Sequence, residues 1–161
     1  DLANNYGNLC QRVFAFIKKN CDNKIPKPTK LLEEDNALIG KLKSEVPHLI
    51  SLINNQNLNE FIKIVVNFSF EANKYFNDSE PWSLKNKNKE RMENILFTIS
   101  EQIKNISILL NAVIPDSTNK VLAAMNLKKE HINIDNINNL KCFNHKNELK
   151  ELKILFNKIE K

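Results

Sequence analysis

Apolar residues Leu2, Tyr6, Leu9, Val13 and Phe16 recur at alternating spacings of four and three, which places them on one face of a helix. This spacing predicts a first helix running to about Asn20. The stretch Ile25-Pro26-Lys27-Pro28 then breaks it, because neither proline fits a helix interior. A second helix is expected from about Glu33, with acids in its first turn, Leu38, Leu42, Val46, Leu49 and Ile53 facing inward, and a kink at Pro47. After a polar connection at 55–59, Leu58, Ile62, Val65, Ala72 and Phe76 mark a third helix, which the stretch from Ser79 to Leu84 ends. The longest helix is expected from about Lys89 to Val113, through Met92, Ile95, Ile99, Ile103, Ile106 and Leu110. Pro115 should stop it, and Asp116 or Ser117 should cap a short fifth helix carrying Val121, Leu122 and Met125. Farther on, Ile132 and Ile134 alternate, while Leu149, Leu152, Leu155, Phe156 and Ile159 suggest a terminal amphipathic helix.

Long amphipathic segments on short connections, with no internal repeat and no domain boundary, predict an all-α antiparallel helix bundle. Only 2 Gly and 5 Pro in 161 residues argue against a turn-rich sheet fold. No apolar run approaches the roughly 18 residues that a membrane span needs, so no membrane partner is expected. No basic-then-apolar leader is visible, which makes a cytoplasmic protein the default. The chain opens as DLANNYGNL, without an initiator Met and already in helical rhythm, and so reads as a piece of a longer polypeptide. Cys10, Cys21 and Cys142 read as free thiols, and they form no metal-ligand spacing with His48, His131 and His145.

Charge divides the chain into three. Residues 1–31 carry a net +4, residues 32–80 a net −4, and residues 81–161 a net +5. The basic blocks suit a polyanionic partner as well as ordinary solvated helix surfaces. No phosphate loop, no nucleophile with a base beside it and no metal motif is present, so no catalytic residue is assigned. Glu33 and Glu34 are read as helix N-terminal acids.

Two features point to nucleic acid. Asn8 and Arg12 stand at i and i+4 on one flank of the first helix, where an amide and a guanidinium could read bases and hold phosphate. Arg is rare here, two against 22 Lys, although 27 Asn make an Asn–Arg pair unremarkable by itself. The second feature is the single Trp, in SEPWSL at 79–84, followed by Lys85, Lys87 and Lys89. Pro81 fixes its own backbone and should push Glu80 toward an extended conformation, so the chain turns sharply. On such a turn Trp82 either plugs the end of the bundle or waits as a platform for an unstacked base, a contact worth about 1–3 kcal/mol.

Three blocks taken together, DLANNYGNLCQRVFAFI, FSFEANKYFNDSEPWSL and ISILLNAVIPDSTNKVL, resemble the anticodon-binding domain of methionine–tRNA ligases, in order and at family-like spacings over residues 1 to about 127. The tail from 128 to 161, ending ILFNKIEK, is similar to the family's C-terminal segment without the proline usual there. The resemblance implies a class I synthetase helix bundle over 1–161, following a catalytic domain absent from this chain. It implies that Asn8 and Arg12 hydrogen-bond anticodon bases, and that Trp82, after Pro81, stacks on the first anticodon base, a cytosine. Lys18, Lys19, Lys85, Lys87 and Lys89 are then candidate phosphate contacts. The implied partners are the initiator and elongator methionine tRNAs and the upstream catalytic domain, with the protein acting as a monomer. No cofactor is expected in this chain, and ATP would serve the full-length enzyme. The family's His-Ile-Gly-His-like and Lys-Met-Ser-Lys-Ser-like signatures and its zinc knuckle are absent. Two alternatives remain: the anticodon domain of a valine, leucine, isoleucine or cysteine enzyme, and a helical protein–protein interaction module with a buried Trp82.

Overall fold

The computed structural model describes residues 2–156. A π-helical turn at Ala3–Gly7 runs without a break into α1 (Asn8–Asn20), and α2 (Glu33–Asn54) and α3 (Leu58–Ser79) follow. The one-turn α4 (Pro81–Leu84) leads to α5 (Lys89–Leu110) and α6 (Pro115–Ala124). Two 3-10 turns, Lys129–His131 and Ile134–Asn136, take the place of the alternating stretch around Ile132. Among the described residues the fold is all-α, with one isolated antiparallel bridge between Lys24 and Glu148.

The centre is α5. From Asn94 to Leu110 every side chain is buried, because α1, α2, α3, α4 and α6 all pack on it. A helix wrapped on all sides cannot be purely amphipathic, and α5 also buries charge. Glu101 Oε1 receives a hydrogen bond from Lys104 Nζ at 2.5 Å, and Lys104 also donates to the Asn139 carbonyl at 3.0 Å. Burial pushes the Glu101 carboxyl up to about 7, against the opposing pull of Lys104. The first turn is tied to α5 by Tyr6, whose hydroxyl lies 2.7 Å from Ser107 Oγ in the core.

The face of α2 is rotated from the one its leucines suggest. Ile39, Leu42, Leu49 and Leu52 are buried with Asp35, whereas Leu38 and Val46 are half-buried and Ile53 is exposed. Asp35 sets this rotation. It accepts hydrogen bonds from Leu32 N–H (2.8 Å), Tyr75 Oη (2.5 Å) and Arg91 Nη1 (2.6 Å), and Arg91 also reaches Glu34 at 2.7 Å. The helix continues through Pro47, which is exposed. On α3, Phe61, Val65, Phe68, Ala72 and Phe76 form the core face, and Leu58 stays exposed.

Three further expectations are corrected. Pro115 opens α6 as its first residue, since it lacks only a donor that is orphaned there anyway; Ile114, not Asp116 or Ser117, is the N-cap. From 149 to 156, where a terminal amphipathic helix is expected, the chain is not helical. Leu149 N–H donates to the Asn23 carbonyl at 2.7 Å and Lys150 N–H to the Ala124 carbonyl at 2.9 Å, so backbone donors that a helix would use internally are taken by other segments. Leu149 and Leu155 are buried, and Phe156 approaches Gly7 so closely that a Cβ there would stand 3.1 Å from its ring. Ile159 lies outside the described residues.

Candidate nucleic-acid interface

The site is assembled where α3 ends. Glu80 is not extended. It takes the left-handed conformation, φ 42° and ψ 56°, and its N–H bonds the Asn77 carbonyl at 3.3 Å. Both conformations avoid the right-handed helical region that a following proline disfavours, and the left-handed one also closes α3. It is unfavourable for a residue with a Cβ by roughly 1–2 kcal/mol. The cost is offset locally, because Ser83 donates twice to the Glu80 carbonyl, from N–H at 2.9 Å and from Oγ at 2.8 Å. Pro81 is buried as the first residue of α4, so its role is to fix the turn. Trp82 follows and keeps 47% of its surface exposed.

Beneath the indole lies Phe76, 2% exposed. Its ring meets Trp82 edge to face, with centroids 5.8 Å apart and planes at 80°, and meets Phe16 of α1 at 6.3 Å and 84°. The Arg12 guanidinium carbon stands 5.3 Å from the same ring centroid. Phe76 therefore braces both the indole and the cation.

Arg12 is exposed and held by neutral acceptors. Its Nη2 donates to Asn77 Oδ1 at 2.7 Å, and its Nη1 makes a longer contact of 3.5 Å with Asn73 Oδ1. Amides orient a guanidinium without cancelling its charge, and several of its five donors remain for a ligand. Arg91 is the contrast, since Asp35 and Glu34 neutralise it and its side chain is 15% exposed. Asn73 also ties α3 to the π-helical turn, because its Nδ2 donates to the Asn5 carbonyl at 2.8 Å. Asn8, exposed, stands one helical turn before Arg12, and no described residue bonds its side-chain amide.

Thus the fold brings Trp82 and Arg12 together through Phe76, with Asn8 beside Arg12. Lys18 and Lys19 are exposed in the last turn of α1, and Lys85 and Lys87 are exposed after α4. No described residue forms an ion pair with these four, whereas Lys89 pairs with Glu93 at 3.8 Å. Sequence reasoning assigned Phe76 to the core and passed over Asn73 and Asn77. Their one signal was the i, i+4 spacing on α3, which mirrors Asn8 and Arg12 on α1. The exposed indole departs from the buried Trp82 that an interaction module requires.

The fold has close counterparts. It matches the crystal structure of the apo form of Mycobacterium tuberculosis methionyl-tRNA synthetase with a TM-score of 0.91 and 22% identity, over 100% of this chain and 33% of that one. The structure of the same enzyme bound by methionyl-adenylate matches with a TM-score of 0.88 and 23% identity, over 98% of this chain and 32% of that one. In sequence, the chain is 33% identical over 122 residues to the methionine–tRNA ligase of Brucella suis biovar 1, covering 76% of this chain and 24% of the relative. It is 36% identical over 140 residues to that of Rickettsia felis, covering 81% and 26%. The fold is thus the all-α helix bundle found in these synthetases. The family model for the anticodon binding domain of methionyl tRNA ligase matches residues 25–161, and the chain belongs to that family. The match includes Pro81, Trp82 and the tail; α1, with Asn8 and Arg12, precedes it. The chain spans about a quarter of the length of the curated relatives it matches.

Proposed function

We propose that this anticodon-binding domain reads the anticodon of the initiator and elongator methionine tRNAs through Trp82, Arg12 and Asn8. The first anticodon base, a cytosine splayed out of its loop, stacks on the Trp82 indole. The guanidinium of Arg12 and the amide of Asn8 hydrogen-bond base edges, each good bidentate contact discriminating by about 1–3 kcal/mol. Pro81 and Phe76 position these groups, and Lys18, Lys19, Lys85, Lys87 and Lys89 supply phosphate contacts that make binding salt-dependent.

The observation that carries this reading is an indole half in solvent, braced edge-on by the ring that also carries Arg12. A stacking surface has to be rigid and open at once, and both conditions hold at Trp82. Residues 1–161 act as one domain, core and tail together, of a longer ligase. Its upstream catalytic domain activates methionine with ATP and transfers it to the tRNA in the cytoplasm. No helix among the described residues is long and apolar enough to cross a membrane.

The test is a binding series with anticodon stem-loops. A loop carrying C-A-U should bind more tightly than loops altered at the first position, and Trp82→Ala should remove most of that preference. Equal binding of all loops by the unmodified chain would refute the reading.

A further inference from the structure

On the other side of α1 from α3 lies a cleft with a volume of about 550 Å³. One wall is the exposed flank of α1, with Gln11, Ala15 and Lys18; the other is the tail around Lys150, with Asn23 between them. This flank adjoins the proposed anticodon face. Gln11 stands three residues after Asn8, and Ala15 stands three residues after Arg12, so the surface is continuous across α1. Ala15 is exposed and carries only a methyl group, so a strand can approach the helix closely there.

The tail wall is pinned at several points. Asn23 exchanges two hydrogen bonds with Leu149, receiving at its carbonyl (2.7 Å) and donating from Nδ2 (3.0 Å). Lys150 N–H bonds the Ala124 carbonyl at 2.9 Å, and Asn126 Nδ2 bonds the Glu148 carbonyl at 2.7 Å. The backbone from Glu148 to Lys150 is therefore fixed, and Lys150 itself is exposed. No described residue forms an ion pair with Lys18 or Lys150. Glu151 also lines the cleft, and Asp22 is exposed just before Asn23. Lys18 on one wall and Lys150 on the other offer two cations to phosphate oxygens, and Gln11 and Asn23 offer amides to ribose oxygens. Much of the remaining lining is apolar, with Phe14 and Ile154 in it. The continuity with Asn8 and Arg12 indicates whose oxygens they are: a strand whose bases meet Trp82, Arg12 and Asn8 reaches this flank by continuing across α1.

We propose that this cleft takes the ribose–phosphate backbone of the RNA strand flanking the bases read at Trp82, with Lys18 and Lys150 as its two phosphate contacts. The proposal rests on the anticodon reading above. Its physical consequence is a non-specific term, since phosphate contacts hold and orient the strand while base contacts choose it.

The experiment measures binding of the full chain to a C-A-U anticodon stem-loop by fluorescence anisotropy across a salt series. It compares the unmodified protein with K18Q/K150Q and, separately, with Trp82→Ala. Loss of two phosphate contacts should lower the slope of log K against log salt by about 1.4–1.8. The preference for C-A-U over altered loops should stay intact in K18Q/K150Q. An unchanged slope in that variant, with binding still lost in Trp82→Ala, overturns the cleft and leaves the anticodon reading standing. A lowered slope in K18Q/K150Q with full loop preference in Trp82→Ala refutes the anticodon reading and, with it, the strand path proposed here.

Discussion

Trp82 and Phe76 meet at 80° with their centroids 5.8 Å apart, yet Phe76 is 2% exposed and Trp82 is 47% exposed. A perpendicular contact orients the indole and covers at most one of its faces. The two aromatics, six residues apart in sequence, therefore have different duties, the one packing and the other presenting.

Alanine at each position should separate these duties. Phe76→Ala removes a fully packed ring and should cost about 3–5 kcal/mol of stability. Trp82→Ala should leave the midpoint of chemical denaturation nearly unchanged and weaken anticodon stem-loop binding by about 1–3 kcal/mol, roughly 5- to 150-fold. Denaturant titration and anisotropy measure the two effects. A collapse of stability in Trp82→Ala would make the indole a core residue.

The two arginines should also divide. Arg12→Lys keeps the charge but loses the planar fork that Asn77 and Phe76 hold, so the fold should persist while base discrimination falls. Arg91→Ala strands Asp35 in the interior with one partner gone, and should destabilise the fold by about 3–5 kcal/mol. Thermal melts of both variants beside stem-loop titration check this. Equal discrimination by Arg12→Lys would take Arg12 out of the site.

Asp35 gives a pH dependence of defined sign. Burial acts to raise its pKa, but hydrogen bonds from Arg91, Tyr75 and the Leu32 N–H outweigh it and hold the carboxyl below its ordinary value. A carboxyl depressed in the folded state contributes stability that is fully present above its unfolded pKa of about 4 and is lost as pH falls through the folded value. Stability from this cluster should thus be flat from about pH 5 upward and decline below pH 4. Asp35→Asn should be less stable at pH 7 and show a shallower decline; an unaltered acid limb would count against the cluster.

The thiols report on the fold independently. Cys10 is buried, and burial pushes its thiol far up; Cys21, half-buried, is pushed up to about 11, chiefly by burial. Since the thiolate is the reactive form, Cys10 should resist a thiol reagent at pH 8 until denaturant is added, and Cys21 should react slowly. Rapid native labelling of Cys10 would contradict the packing of α1.

The helices were legible wherever an apolar face alone sets them. The first helix ends at Asn20 as its spacing predicts, and the break at Pro26 and Pro28 holds. On α2 the reading failed by a rotation, because a periodicity of apolar residues cannot register a buried Asp35 that pairs with Arg91. The tail failed for another reason. Leu149, Leu152 and Leu155 are spaced as on a helix, but the backbone at Leu149 and Lys150 is committed to Asn23 and Ala124, partners that no local pattern reveals. At the candidate site, Trp82 and Arg12 were visible as rare residue types. Asn77 was one of 27 asparagines, and Phe76 one of many apolar residues with core spacing, so what joins the site was hidden in common letters.

The most direct measurement uses the fact that Trp82 is the single tryptophan of the chain. Its fluorescence is followed while a C-A-U anticodon stem-loop is added, with a loop lacking the first cytosine as the control. A base stacked on the indole should quench the emission saturably, with the control loop needing a severalfold higher concentration for the same effect. Unaltered emission while anisotropy reports bound RNA would contradict the claim that Trp82 is the platform on which the anticodon is read.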